Sequence, residues 1–358
     1  MRVVFAGGGT LGPVTPLLAV ARALRRLNPA VQIAWIGTPG GPERTLVEAE
    51  GYRFLTIAVA KFPRYPSIYW LTFPWAAWGA WARAKRLVKE LRPTIIVSAG
   101  GFTAVPVCRA AKRRGIPCIT HQLDVRPGLA NKIIARTAAL VTTSFPYVEP
   151  PFEGAKTECL PTPTRFFHAR LPSRHDVLRS FGLLEDRPTV LVMGGGTGAA
   201  SLNELVDRVH ESWKGRWNIV HLTGRGKEGS RYEKRDPRYA VMDFAGEKML
   251  DAYAVADVVI CRAGMGTLSE LAALKKAAIV VPIPESHQEE NAKFLEERKA
   301  IRVVAQTDPA FDQRVEKEVS DLLASEETRH ALGECLSEAL QTDDGTALAE
   351  KVLDSVRT

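Results

Sequence analysis

Short apolar segments alternate with helix-like segments along the first part of the chain. RVVFAG at 2–7 and TIIVSAGG at 94–101, for example, are each followed by a glycine turn and then a helical pattern. These segments are apolar without strict alternation, which is typical of a parallel sheet covered on both faces. The pattern predicts strands, separated by helices, at 2–7, 31–37, 94–101, 116–121 and 139–145.

The alternation stops at residues 147–176, a stretch rich in proline and charge that is typical of a linker. It resumes at 187–206 and ends in a helical stretch at about 311–357. Two βαβ halves of this kind predict an α/β protein with two doubly wound, Rossmann-like domains that face each other across a cleft. The expected divisions are a first domain at 1–162, a second domain at 163–340, and a C-terminal helix able to pack back on the first domain at 341–358.

The stretch SIYWLTFPWAAWGAWARAKR at 67–86 concentrates tryptophan. It lies within an uncharged run from Tyr65 to Ala82 that is near the lower length limit for a membrane-spanning helix. Pro66 and Pro74 interrupt this run, and Pro74 best suits the first turn of a helix. The sequence therefore disfavours a membrane span here.

A helix from Pro74 to Arg92 instead separates two kinds of side chain at about 100° per residue. One side is aliphatic and should pack on the sheet: Ala77, Ala80, Ala84, Leu87, Val88 and Leu91. The other side carries indole rings and cations: Trp75, Trp78, Trp81, Lys85 and Lys89. This pattern predicts a membrane-docking helix that lies in the interface with anionic lipid, and rings covered by a loop or by a partner protein are the alternative.

The composition narrows the classes of partner. Of the 358 residues, 46% are hydrophobic and 25% charged, and the formal net charge is +8, which favours anionic partners for a globular chain. Nucleic acid is disfavoured because the cations are dispersed and no recognised binding motif is present. Five cysteines without a CxxC pair favour reduced core residues, and the scattered histidines predict no metal site. The strand-like N-terminus predicts no signal peptide.

The first glycine loop, AGGGTLGPVTP, follows the first predicted strand. Gly7, Gly9 and Gly12 match the dinucleotide-binding pattern G-x-G-x-x-G. The second predicted strand, however, ends in WIGTPGG without the acidic residue that holds a ribose, which disfavours nicotinamide and flavin cofactors. A backbone that approaches a phosphate at a helix N-terminus and a tight turn that binds nothing both remain open.

Three polar segments follow strands in the second half. VMGGGTGAASLNE is again suited to a phosphate, so the two glycine loops together suggest two anionic ligands or one long one. CRAGMGTLSEL places Glu270 about one turn into a helix, where a carboxylate can accept both hydroxyls of a ribose; an exposed helix glutamate is the alternative. PIPESHQEEN sets His287 and Gln288 at the mouth of a sheet, where ligands bind, or in a solvated loop and N-cap.

In this order, the motifs resemble the MurG-type glycosyltransferases over nearly the whole chain. The resemblance rests on GGTLGPVTPLLAVA, GGFTAVP, HQLDVRPGLANK, PTPTR, GGGTGAASLN, DVVICRAGMGTLSE and HQEENA. It implies a GT-B fold and inverting transfer of N-acetylglucosamine from UDP-N-acetylglucosamine to lipid I in peptidoglycan synthesis. It also implies that transfer needs no metal or other cofactor, the sugar nucleotide being a substrate.

On the donor side, the resemblance implies a role for individual residues. Glu270 should bind the ribose, Gln288 the sugar hydroxyls and Arg165 the nucleotide, while the backbone of Ala245 reads uracil. The other donor-binding residues expected are Thr10, Leu11, Gly12, Asp124, Gly195, Gly196, Thr197, Gly198, Met265, Gly266, Thr267, Leu268, Ser269 and His287.

On the acceptor side, the chain departs from the family. Pro13 stands where the family normally has a histidine, and the family's HEQN segment appears as His121, Gln122, Leu123 and Asp124. An inverting transfer needs a base near the acceptor hydroxyl. We expect Asp124 to be that base, with His121 as the second candidate.

The leading hypothesis is a UDP-sugar:lipid glycosyltransferase, peripheral on the cytoplasmic face of the cell membrane. Its expected partners are UDP-N-acetylglucosamine, an undecaprenyl-diphosphate-linked acceptor, the anionic membrane surface and other cell-wall enzymes, but not nucleic acid. Pro13 and Asp124 leave open an enzyme with a different lipid or small-molecule acceptor. A non-catalytic relative that binds nucleotide sugars is the other alternative.

Overall fold

The computed structural model describes residues 1–60, 69–147, 151–195, 198–224, 238–243 and 245–357. The chain divides into two compact units. The first contains residues 1–165 and 343–358, and the second contains residues 166–342.

The first unit alternates strands and helices, as its hydrophobic pattern predicts. Its strands are β1 (Arg2–Ala6), β2 (Gln32–Gly37), β3 (Arg53–Thr56), β4 (Ile95–Ser98), β5 (Cys118–Gln122), β6 (Leu140–Thr143), β7 (Thr157–Cys159) and β8 (Thr162–Pro163). Its helices are α1 (Val14–Leu27), α2 (Glu43–Ala49), α3 (Tyr69–Leu91), α4 (Ala104–Lys112) and α5 (Leu129–Ala135).

Among the described residues of this unit, seven parallel strands form one sheet in the order β3-β2-β1-β4-β5-β6-β7. Successive side chains Val3, Val4 and Phe5 point to opposite faces of β1, yet all three are fully buried. The sheet is therefore covered on both faces, which explains why its strands lack strict alternation.

Helix α3 begins at Tyr69, so the prediction that it begins at Pro74 is wrong. Proline has no N–H to donate to the carbonyl one turn earlier, but it removes only one backbone hydrogen bond and the helix runs through it. Pro66 lies outside the described residues. The predicted inner side is confirmed, because a run of small and aliphatic side chains on α3 is buried in the core: Ala80, Ala84, Leu87, Val88 and Leu91.

The second unit begins with α6 (Arg174–Phe181). Its strands are β9 (Thr189–Met193), β10 (Asn218–Leu222), β11 (Tyr239–Met242), β12 (Val258–Cys261), β13 (Ala278–Val280) and β14 (Arg302–Val303). Its further helices are α7 (Ala200–Trp213), a 3₁₀ turn (Gly246–Lys248), α8 (Met249–Val255), α9 (Met265–Ala273), α10 (Gln288–Glu296), α11 (Phe311–Ala324) and α12 (Glu326–Ala339). The parallel strands described here pair in the order β11-β10-β9-β12-β13-β14.

The chain ends with β15 (Thr342–Asp343), which pairs with β8, and α13 (Thr346–Arg357), which packs against α1. Gly345 permits this packing, since its φ is +89° and a Cβ there would lie 2.6 Å from the backbone nitrogen of Val20. An ion pair of 2.8 Å between Arg26 and Asp344 fastens the same contact. The last helix therefore belongs to the first unit.

Candidate active site

The polar segments of the second unit meet at one edge of its sheet. The glycine loop follows β9, the segment with Glu270 follows β12, and the segment with Gln288 follows β13. These three strands are neighbours and run parallel, so their carboxyl ends lie side by side. Ala245 follows β11 at the same edge, and this is the edge where doubly wound sheets bind ligands.

The second glycine loop is shaped by a close backbone approach. Gly198 has φ +68°, and a Cβ there would lie 2.0 Å from the carbonyl oxygen of Thr223 at the end of β10. Only glycine fits, because the neighbouring atom is backbone that cannot move aside. The amide of Gly198 donates to Gly195 at 2.9 Å, which closes the turn before α7. Gly196 and Thr197, both predicted to bind the donor, lie outside the described residues.

Glu270 is a buried carboxylate with an orienting donor. Only 5% of Glu270 is exposed, and the hydroxyl of the fully buried Tyr253 donates to its Oε2 at 2.8 Å. The ring of Phe166 packs edge-on against Tyr253 with centroids 6.0 Å apart. An exposed helix glutamate is therefore excluded, and the carboxylate is held in place in the second turn of α9.

The other residues predicted around Glu270 line the first turns of α9. Met265, Gly266, Leu268 and Ser269 are buried, and Thr267 is half-buried. The hydroxyl of Ser269 donates to the carbonyl of Gly266 at 3.0 Å, so it satisfies the helix backbone.

The segment after β13 is tied to the strand beside it. The amide of Asn291 donates to the carbonyl of Ala263 at 3.1 Å, which fastens α10 to the residues after β12. The side-chain oxygen of Gln288 accepts from the amide of Ile283 at 3.2 Å, and His287 is exposed just before the helix. This leaves the half-buried Gln288 at the same edge as Glu270.

Arg262 is a residue of this edge that the sequence reasoning missed. It directly follows β12 and is buried, and its guanidinium donates to the side chains of Ser201 and Gln306. The only sequence signal was the position of this arginine, directly after a fully apolar strand. Arginine is almost never fully buried unless it is paired, so a buried arginine calls for an explanation.

In the first unit, the first glycine loop binds a side chain of its own chain. The buried Glu43, at the start of α2, accepts from the amide of Gly9 at 3.2 Å. The same oxygen accepts from the amide and the hydroxyl of Thr38 at 2.7 and 2.6 Å. A Cβ at Gly8 would lie 2.1 Å from that oxygen. Because Glu43 occupies the amide of Gly9, this amide is not available to a phosphate; Thr10, Leu11 and Gly12 lie beyond it, with Thr10 exposed.

His121 lies inside the sheet of the first unit. Its ring is fully buried, with Nδ1 2.8 Å from the hydroxyl of Thr142 and Nε2 3.0 Å from that of Ser144. Burial lowers the pKa of His121 to about 3. A histidine whose two nitrogens are both hydrogen-bonded and whose pKa is this low is a weak proton acceptor.

Asp124 lies on the loop after β5, and neighbouring side chains fix its backbone. The amide nitrogen of Gln122 donates to the carbonyls of Asp124 and Arg126 at 2.8 and 3.3 Å. The hydroxyl of Tyr147 donates to the carbonyls of Asp124 and Val125 at 3.2 and 2.8 Å. Burial, followed by the nearby Asp124 carboxylate, raises the pKa of Tyr147, so this hydroxyl keeps its proton. Asp124 itself is half-buried.

The predicted docking surface of α3 is largely exposed. Trp75 is 78% exposed and Trp78 is 68% exposed. Trp81 is half-buried, with the guanidinium of Arg113 4.8 Å and the ammonium of Lys85 5.8 Å from its ring centroid. The prediction that this side faces outward is confirmed for the first two rings, while Trp81 packs partly on the core.

Among the described residues, no group of three or more His, Cys, Asp or Glu side chains is arranged to hold a metal ion. None of the helices placed there is long and apolar enough to cross a membrane.

Comparison with known proteins points to the same family for both halves of the chain. The model of the glycosyltransferase family 28 N-terminal domain matches residues 3–143, and that of the C-terminal domain matches residues 189–343.

Two curated relatives are named UDP-N-acetylglucosamine--N-acetylmuramyl-(pentapeptide) pyrophosphoryl-undecaprenol N-acetylglucosamine transferase. The one from a Nocardioides species is 36% identical over 99% of this chain and 98% of its own length. The one from Clavibacter sepedonicus is 37% identical over 99% of this chain and 96% of its own length. The crystal structure of Acinetobacter baumannii MurG is 26% identical with a TM-score of 0.69, covering 99% of each chain.

Proposed function

Because the chain belongs to glycosyltransferase family 28, we propose that it transfers N-acetylglucosamine from UDP-N-acetylglucosamine to undecaprenyl-diphosphate-linked N-acetylmuramoyl-pentapeptide, which converts lipid I to lipid II. The observation that carries this proposal is the likeness, over nearly the full length, to relatives named for that reaction. The two parallel α/β units also confirm the predicted GT-B class of fold.

The second unit is the donor-binding unit in this proposal. The carboxylate of Glu270, already oriented by Tyr253, accepts hydrogen bonds from the ribose hydroxyls. The backbone at the starts of α7 and α9 binds the diphosphate, since the first amides of a helix lack partners within the helix. Gln288 binds the sugar and Ala245 the uracil, and Arg165 contributes to nucleotide binding.

The transfer step requires a base and stabilisation of a leaving group. The acceptor hydroxyl oxygen attacks the anomeric carbon and forms the new C–O bond, and its proton passes to the base. The bond from the anomeric carbon to the diphosphate oxygen breaks, and its electron pair departs with UDP. Negative charge on the diphosphate therefore increases during the reaction, which is why positive groups around it lower the barrier.

Asp124 is the base in this mechanism. Its loop is held by hydrogen bonds from Gln122 and Tyr147, so the carboxylate is carried on a fixed backbone. His121, the second candidate, is buried with both nitrogens occupied, which favours Asp124 over it.

The acceptor is carried by a membrane, and α3 is the surface that docks to it. The exposed rings of Trp75 and Trp78 suit the depth of lipid headgroups, and Lys85 and Lys89 beside them suit anionic lipid. The adjacent helix α4 and the turn after it add more exposed cations: Arg109, Lys112, Arg113 and Arg114. The chain then works as a peripheral protein at the cytoplasmic face, where the sugar nucleotide is found.

A UDP-release assay with lipid I tests the proposal. The wild type should release UDP only when lipid I is present, and lipid II should accumulate in equal amount. Asp124→Asn should abolish transfer and leave the dissociation constant for UDP unchanged. Glu270→Gln should weaken UDP binding, which separates the donor site from the base. Normal turnover by Asp124→Asn would remove Asp124 from the mechanism.

A second candidate keeps the donor and changes the acceptor. Pro13 precedes α1 where the family normally has a histidine, and Asp124 replaces the family's usual residue on the acceptor side. The same assay distinguishes this candidate, because UDP binding with no turnover on lipid I, but turnover on another lipid-linked or small-molecule hydroxyl, would support it.

A further inference from the structure

Arg262 is a buried cation that contacts no carboxylate in the part of the chain that the structure describes. Only 9% of it is exposed, and its terminal nitrogens donate to uncharged oxygens alone. These are the carbonyls of Val281 (2.9 Å) and Pro282 (3.1 Å), the hydroxyl of Ser201 (2.5 Å) and the side-chain oxygen of Gln306 (2.7 Å). Its Nε is buried without an acceptor. A guanidinium keeps its proton in proteins, so the full positive charge remains.

Two helix N-termini lie at the same end of the sheet as this charge. Ser201 lies in the first turn of α7, so its hydrogen bond places the guanidinium beside the start of that helix. Helix α9 begins at Met265, shortly after Arg262 in the chain. Neither helix has an acidic residue in its first turn or a side-chain cap. Each N-terminus carries a partial positive charge that adds to that of the guanidinium. The buried carboxylate of Glu270 lies further along α9, and none of the hydrogen bonds that Arg262 makes within the described residues is to a carboxylate.

Burying a cation without an anion is costly, and burial accordingly lowers the pKa of Arg262. The hydrogen bonds to neutral carbonyl, hydroxyl and amide oxygens hold the guanidinium in place but do not neutralise its charge. An anion bound at the starts of α7 and α9 would neutralise it. The diphosphate of a nucleotide sugar, which gains negative charge as UDP departs, has the required sign, and the proposed donor site puts it at the starts of these two helices.

We propose that Arg262 is a positioning residue for the diphosphate: its permanent charge, held behind the first turn of α7, gives the donor site its affinity for the anionic part of the nucleotide. This inference rests on the proposed donor site. It assigns phosphate affinity to a buried side chain as well as to the backbone amides and Arg165.

Isothermal titration with UDP, uridine and inorganic pyrophosphate tests this role in the full chain. Arg262→Met should weaken UDP and pyrophosphate binding about tenfold, which corresponds to ~1.4 kcal/mol, and leave uridine binding unchanged. Arg262→Lys, which keeps the charge, should recover part of the loss. If Arg262→Met does not fold, Arg262→Gln, which removes the charge and retains donors, replaces it in the comparison.

Arg174→Met is the matched control. Arg174 is half-buried and, like Arg262, donates to a backbone carbonyl, that of Val255, but it is neutralised by Asp257 at 2.8 Å. Asp257 precedes β12, so this pair lies at the opposite end of the strand. The control should lower the melting temperature without changing UDP binding.

The outcomes separate this inference from the donor proposal. Equal losses for UDP and uridine in Arg262→Met, or full UDP affinity in a folded variant, would overturn the role of Arg262. If the wild type binds pyrophosphate in a manner that depends on Arg262 but does not bind UDP, the anion-binding role of Arg262 is supported. The proposal that the donor is a uridine nucleotide is then overturned. If Arg262→Met turns over lipid I and binds UDP as the wild type does, the proposed transferase function stands and the role of Arg262 is rejected.

Discussion

Replacing Tyr253 by phenylalanine tests whether the orientation of Glu270 matters for donor binding. The hydroxyl of Tyr253 donates to Glu270 Oε2 at 2.8 Å, and both side chains are buried. Phenylalanine keeps the ring, its packing and its edge-on contact with Phe166, so the change removes little more than one hydrogen bond. The carboxylate then retains its charge but loses a group that fixes its direction.

The expected effect follows from the cost of ordering one side chain on binding. That cost is roughly 0.5–1.5 kcal/mol for a side chain with several rotamers. It corresponds to an increase of about 2- to 12-fold in the dissociation constant for UDP. The hydrogen bond itself, made to a charged group, is worth roughly 1.5–3 kcal/mol, which sets the upper limit for the loss.

Titration calorimetry with UDP and 2′-deoxy-UDP measures the effect. If Glu270 accepts from both ribose hydroxyls, as proposed, the wild type should prefer UDP, and Tyr253→Phe should reduce that preference. Tyr239→Phe is a suitable control, since it removes another tyrosine hydroxyl, 2.7 Å from His221 Nδ1 in the same unit. Unchanged UDP binding in Tyr253→Phe, or an equal loss for both nucleotides, would refute the reasoning.

Three further predictions follow from local geometry. Gly198→Ala should destabilise the chain by more than Gly182→Ala in urea unfolding: both have positive φ, but a Cβ at Gly182 meets no atom within 4 Å and one at Gly198 meets backbone at 2.0 Å. A Trp75→Ala, Trp78→Ala double variant should lose binding to anionic vesicles in flotation assays and keep its melting temperature, because both rings are exposed; retained, salt-insensitive binding would contradict the docking surface. Burial lowers the pKa of His121 to about 3 from 6.5, so the unfolded state binds a proton that the native state does not. Unfolding free energy should therefore fall as the pH drops from about 6.5 towards 3, by at most ~1.4 kcal/mol per pH unit, and His121→Gln should flatten that dependence.

The sequence predicted what depends on local periodicity. A step of about 100° per residue placed Leu87 and Val88 on the inner side of α3 and Trp75 and Trp78 on the outer side, as the structure has them. The strands were also predictable, because a sheet covered on both faces requires continuous apolar runs. The start of α3 was not predictable. Pro74 removes one backbone hydrogen bond, but this does not end a helix whose remaining residues bury a long apolar face.

Contacts between residues that are far apart in the chain could not be predicted from the sequence. Nothing in the segment around Glu43 indicates that its carboxylate accepts from the amide of Gly9. The glycine pattern left open a phosphate or a tight turn that binds nothing, and the structure puts a carboxylate at that amide instead. The two glycine loops are therefore different: the first is completed by the chain's own anion, while the second adjoins Arg262 and an uncapped helix.

The loop after β5 shows how one departure from the family pattern constrains another. Gln122 stands where the family has glutamate, and its amide nitrogen donates to the carbonyls of Asp124 and Arg126. Its oxygen accepts from the amide of Asn131 at 2.6 Å, and Asn131 in turn accepts from Thr120 at 2.9 Å. A glutamate could accept from Asn131 but could not donate to the loop, and its charge would face two carbonyl oxygens. The loop geometry of this chain therefore favours an amide at position 122, and the acidic side chain of this loop is that of Asp124.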